Sequence, residues 1–154
     1  MYNTTFKHTK ILDIIVNDFK IDFYGDHGIR HWERVYNNSK ILSEYYNIKS
    51  DVFELFALLH DSKREDEYCD INHGYRASLF VTKLIDDELI KLDKKDQDRL
   101  LFACANHTIK DKTDLLCEDI VVKICFDSDK LDLGRVGIIP DPSRMNTDYA
   151  KELC

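Results

Sequence analysis

Hydrophobic residues recur along this chain at the three-and-four spacing of one helical face, and almost nowhere with the alternation of a half-buried strand. Ile11, Leu12, Ile14, Ile15 and Phe19 define a first amphipathic segment that ends before the turn-like stretch Asp22 to Asp26. Asp26 is placed to cap a second helix, whose apolar stripe is Ile29, Trp32, Tyr36, Ile41, Leu42 and Tyr45. Ser50 or Asp51 opens a third, Val52 through Leu59, which is apolar nearly all round and is expected at the centre of the core. It runs directly into His60-Asp61. The polar stretch Ser62 to Asn72 shows no apolar period and reads as an exposed loop.

From about His73, the residues Ala77, Phe80, Val81, Leu84 and Ile85 make the inward face of a fourth helix. Asp93 or Lys94 opens a fifth, in which Leu100, Leu101, Cys104 and His107 share one side. A sixth, from about Glu118, holds Ile120, Val121, Val122, Ile124, Cys125 and Phe126. Its β-branched residues would also suit a strand, but a lone strand has nothing to pair with. The two prolines, Pro140 and Pro142, introduce a loop and a short final helix. The pattern predicts an all-α fold: one domain over residues 1–154, a bundle of about six to seven helices.

Composition narrows the partners. With 154 residues, 44% of them hydrophobic, the chain can bury one sizeable core. The 22 Lys and Arg against 29 Asp and Glu leave a net charge of -7, which opposes attraction to a nucleic-acid backbone or an anionic membrane. No duplex nucleic acid and no membrane partner is therefore expected, and a homodimer is left open. A small anionic ligand still fits, because local basic residues or a metal override the global sign. Cys69, Cys104, Cys117, Cys125 and Cys154 are odd in number and form no C-x-x-C pair, so reduced thiols are expected. The N-terminal residues lack a basic patch followed by an apolar run, which makes the cytoplasm the expected compartment.

Candidate chemistry lies where polar residues fall on apolar faces. His31, His60 and His107 align with the apolar sides of three different helices, while Asp61 and Asp129 would be costly inside a core without a counter-charge. A divalent cation removes that cost, and imidazole with carboxylate suits a hard or borderline ion. At about 100° per residue, Asp129 shares a face with Val122, Cys125 and Phe126, and Asp127 with Ile120 and Ile124, so periodicity does not choose between them. The bland alternative is that one of them caps a helix or pairs with Lys130 or Arg135. Cys104-x-x-His107 has the look of half a zinc site, but no second half accompanies it.

Taken together, His31, His60-Asp61 and Asp129 resemble the H…HD…D signature of the HD-domain superfamily of metal-dependent phosphohydrolases. The stretches His27 to Val35, Phe56 to Arg64, His73 to Ala77 and Asp127 to Gly137 are similar to a group of small bacterial HD proteins. The resemblance spans roughly residues 25 to 150, with its motifs within about 25–137. It implies the HD-domain helical bundle with a central metal, held by His31, His60, Asp61 and Asp129, and it favours Asp129 over Asp127. In dinuclear members two further histidines lie between the doublet and the last aspartate; His73 and His107 occupy those places in order, with Asp61 bridging.

One or two divalent ions per chain are therefore expected, from among Mn, Mg, Fe, Co, Ni and Zn. The activity implied is hydrolysis of a phosphate ester of a small metabolite, a nucleotide in first place, by metal-activated water. Asp61, Lys63 and Arg64 are the candidate catalytic residues, with Lys63 and Arg64 placed just after the doublet to hold phosphate oxygens. Some HD nucleotidases and alarmone hydrolases carry an acidic residue three positions after the doublet's aspartate; here that position is Arg64, with Glu65 or Asp66 as substitutes. Two other classes compete: an HD-type diiron oxygenase, and a non-catalytic nucleotide-binding sensor.

Overall fold

The computed structural model describes residues 4–108 and 115–154. Among these, seven α-helices carry the fold and no strand occurs: α1 (Thr9–Asp18), α2 (Ile29–Tyr45), α3 (Val52–Leu59), α4 (His73–Asp86), α5 (Lys94–Asn106), α6 (Ile120–Lys130) and α7 (Asp148–Glu152). The helical reading of Ile120 to Phe126 holds, as does the all-α class.

All eight residues of α3 are buried. This helix packs against α2, α5 and α6, while α4 lies along α5 and α7 touches α2. Full burial follows from composition: the segment Val-Phe-Glu-Leu-Phe-Ala-Leu-Leu has one polar side chain, so no orientation of it would present a polar face. That exception, Glu54, is satisfied by the residues before α1. Its carboxylate accepts from the backbone N–H of Lys7 and His8 at 2.5 and 2.8 Å and from His8 Nδ1 at 2.8 Å. Burial resists its ionisation, but the His8 side chain and these N–H groups hold the Glu54 carboxyl below its ordinary value.

Side-chain caps open three of the seven helices. Asp93 accepts from Asp96 N–H at 2.8 Å to open α5, Asp119 from Val121 N–H at 2.9 Å to open α6, and Thr147 from Ala150 N–H at 3.4 Å to open α7. Asp26 does not cap α2. That role falls to Gly28, whose N–H bonds Gly25 O at 3.2 Å while Ile29 N–H reaches back to Phe23 O at 2.9 Å. A Cβ on Gly28 would stand 2.0 Å from the Phe23 carbonyl oxygen, so the turn leading into α2 admits no side chain. Ile41 and Tyr45, assigned to the α2 stripe by spacing, are exposed; the buried stripe runs through Ile29, Trp32, Val35 and Leu42.

Candidate metal centre

Four histidines converge at the ends of α3, α4 and α5 and in the first turn of α2. In each, Nδ1 faces an oxygen that can only accept: Asp132 Oδ2 for His31 at 2.7 Å, Phe56 O and Ala57 O for His60 at 3.0 and 3.1 Å, Asp70 O for His73, and Cys104 O for His107 at 2.9 Å. A carbonyl or carboxylate partner places the ring proton on Nδ1 in the neutral imidazole, which leaves Nε2 as a lone pair. Those lone pairs point at one another. His31 and His60 Nε2 are 3.0 Å apart, and His73 and His107 Nε2 are 2.8 Å apart.

Two carboxylates sit among them. Asp61 Oδ2 lies 3.5 and 3.6 Å from the Nε2 atoms of His31 and His60, and its Oδ1 lies 3.1 and 3.6 Å from those of His73 and His107. Each oxygen thus faces a different pair. Asp129 Oδ1 is 3.4 Å from His31 Nε2 and 3.8 Å from His60 Nε2. The ligand-type atoms form two compact groups, His31 with His60 and Asp129, and Asp61 with His73 and His107, each within 4.8 Å.

The donor set fits a cation. Facing neutral lone pairs repel unless a proton or an ion lies between them, and Asp61 Oδ1, although buried, has no hydrogen bond of acceptable geometry. Electrostatics carry the same message. Burial favours neutral His31, but the carboxylates of Asp129, Asp132 and Asp61 outweigh it and raise its imidazole to about 10. Burial pushes His60 down to about 3. Burial also resists ionisation of Asp61 and Asp129, yet the surrounding imidazoles hold both carboxyls well below the usual range. Without an ion the site therefore keeps a proton on His31 that a metal must displace.

A pH dependence follows. A group whose folded pKa lies above its unfolded value of 6.5 contributes stability that is complete below that value and is lost as pH rises toward 10. In the chelator-treated protein, thermal stability should fall over that window, and excess metal should abolish the fall. Metal affinity, measured by competition with a chelator, should rise about tenfold per pH unit between about 7 and 9, because one proton is released per ion taken up.

The acidic run divides in two. Asp127 is fully buried but faces away from the histidines: its Oδ1 accepts from Asn146 backbone and side chain, and its Oδ2 from Thr147 backbone and hydroxyl, all at 2.7 to 2.8 Å. It anchors the approach to α7. Asp129 turns to the cluster.

The predicted phosphate contacts also part. Arg64 is buried, with Nη1 3.3 Å from the His73 ring and 3.5 Å from Asp61 Oδ1. Lys63 pairs instead with Asp18 at 2.5 Å and lies 3.9 Å over the Phe80 ring, so it is not brought to the cluster. Nor is the segment after the doublet a uniformly exposed loop, since Ser62 and Arg64 are both buried. Glu65 pairs with Lys20 on the surface, and Asp66 accepts from the Tyr68 and Cys69 N–H groups, so neither reaches the position of the missing acid. Cys104 contributes its carbonyl to His107, while its thiol is buried and pushed up in pKa by that burial.

Sequence reasoning gave no role to Asp132, Arg34 or His27 and named Arg135 only as a partner for the acidic run. Asp132 accepts from His31 Nδ1 and from Arg34 Nε at 2.6 Å. Arg135 donates to Asp26 O and Asp132 O and reaches within 3.9 Å of Asp129 Oδ1. His27 bonds Glu67 at 2.7 Å, and burial lowers its pKa despite that partner. A signal existed for Asp132, one turn beyond Asp129 on the same side; the others depend on contacts 40 or more residues apart in the chain.

Gly74 sets the spacing between the second pair of histidines. A Cβ there would stand 2.7 Å from Cys104 O and 3.3 Å from His107 Cε1. Gly74→Ala should therefore push α4 off α5 and separate His73 from His107, at a cost of about 1–3 kcal/mol. Equilibrium denaturation would read the stability, and metal content per chain should fall below that of the wild type.

An all-α bundle with a His and Asp cluster at its centre defines the class. No family model matches the sequence, and no curated protein matches it. Among solved structures, the crystal structure of a predicted HD superfamily hydrolase from an uncultured Thermotogales bacterium superposes with a TM-score of 0.69 over 94% of this chain and 81% of that one, at 23% identity. The chain has the HD-domain fold. No helix among the described residues is long and apolar enough to cross a membrane.

Proposed function

We propose that this chain is a metal-dependent phosphohydrolase that cleaves a phosphate ester of a small metabolite, a nucleotide in first place. The observation that carries the reading is the convergence of four imidazole Nε2 lone pairs, each ring anchored through Nδ1, on the buried Asp61 carboxylate and the partly buried Asp129 carboxylate. His31, His60 and Asp129 would hold one ion, His73 and His107 a second, and Asp61 would face both. Divalent ions there supply an acidified water and a counter-charge for phosphoryl oxygens.

The chain's own residues complete the site. Arg64 presents a guanidinium beside Asp61, where it can hold nonbridging phosphate oxygens through paired N–H groups. Asp129 and Asp61 keep both sides of the cluster anionic, and Phe56, stacked on His60, fixes the orientation of that ring. The fold shared with a protein described as a predicted HD superfamily hydrolase points the same way.

The test is turnover of a nucleotide and phosphoester panel with Mn, Mg, Co and Ni, together with metal analysis of freshly purified protein. Metal-dependent release of phosphate or a nucleoside monophosphate is expected; no turnover with any metal would count against the reading. The histidine-rich dinuclear donor set also suits a diiron oxygenase, which two irons per chain and substrate-dependent oxygen uptake would reveal. Tight nucleotide binding without turnover would instead indicate a sensor.

A further inference from the structure

The two groups of ligand atoms differ in what stands behind their histidines. His31 donates to the Asp132 carboxylate, whereas His60, His73 and His107 donate to main-chain carbonyls. A carboxylate behind an imidazole raises the electron density at the opposite nitrogen and fixes the ring, and a neutral carbonyl does the second far more than the first. Asp132 is itself held in place. Arg34 Nε donates to its Oδ1 at 2.6 Å, Arg135 Nη1 donates to its main-chain oxygen at 3.1 Å, and its carboxylate is only 9% exposed.

The group of Asp61, His73 and His107 has the opposite surroundings. The Arg64 guanidinium stands 3.3 Å from the His73 ring and 3.5 Å from Asp61 Oδ1, and main-chain carbonyls, not carboxylates, face Nδ1 of His73 and His107. Arg135 reaches toward Asp129 at 3.9 Å, but it lies equally far from Asp132 Oδ2, so a second carboxylate shares its charge.

We infer that the two groups are unequal metal sites: the His31, His60 and Asp129 group holds its ion tightly, the group beside Arg64 holds the second ion weakly, and Asp132 is the positioning residue that sets the difference. The inference rests on the metal-centre reading, and it makes the second ion an exchangeable one. At limiting metal the protein would carry a single ion.

Titration of the chelator-stripped full chain with Co(II), followed by calorimetry and visible absorption, reads both sites without substrate. The wild type should show two separated steps. Asp132→Asn keeps the side-chain shape, removes the charge, and lets an amide N–H compete for Nδ1; it should weaken the tight step about 10- to 100-fold and leave the weak step within about twofold. Arg64→Gln should strengthen the weak step alone. Should Asp132→Asn fail to fold, Arg34→Gln frees the same carboxylate from outside the cluster and should weaken the tight step by a smaller factor. Two equal sites in the wild type, or an unchanged tight step in the folded Asp132 or Arg34 variant, would overturn the inference. Absence of Co(II) binding would overturn the metal reading itself, and binding without phosphoester turnover would overturn only the catalytic proposal.

Discussion

Replacing Asp61 with alanine is expected to abolish metal-dependent phosphoester hydrolysis, by at least about a thousandfold, and to leave the protein without the second ion and with a weakened first. The size follows from position. Asp61 is buried, and its two oxygens face different histidine pairs, so no other carboxylate can replace it on both sides. Several kcal/mol of charge stabilisation depend on ions at such a site, and each 1.36 kcal/mol is about tenfold in rate. The variant should also lose part of the metal-induced stabilisation: the rise in melting temperature on adding Mn should be smaller than in wild type. Steady-state assays across the phosphoester panel, with metal content and melting curves on the same preparations, would check both parts. Retention of full activity would exclude the assigned centre.

Phe56→Ala is expected to cost about 3–5 kcal/mol, the typical penalty for emptying a fully buried aromatic site. Phe56 is fully buried in α3, its ring lies 4.9 Å from that of His60 at 22°, and its carbonyl accepts from His60 Nδ1. The cavity would therefore open beside a ligand as well as within the core. Phe56→Leu, which retains much of the volume, should lose less stability and keep metal binding nearly intact. Urea denaturation with and without metal separates the two effects: the alanine variant should gain less from metal than wild type does.

What was legible in the sequence is what local physics decides. Asp93 caps α5 through a bond to a residue three positions on, and α3 is central because its residues offer no polar face. The HD-domain fold expected from the motif order is the fold observed. Local pattern fell short where a distant segment decides. Asp127 and Asp129 differ only in neighbours: Asn146 and Thr147 claim the first, two histidines from α2 and α3 the second. Lys63 follows the doublet as closely as Arg64 does, yet Asp18 on α1 draws it aside. Asp26 loses the cap of α2 because the Phe23 carbonyl reaches over Gly28 to Ile29.

His73 and His107 belong to one antiparallel hairpin, α4 and α5, while His31, His60 and Asp129 come from α2, α3 and α6. The hairpin thus supplies both imidazoles of one group and no side chain of the other. Substituting only its two histidines would strip one group of its imidazoles while leaving every side chain of the other in place.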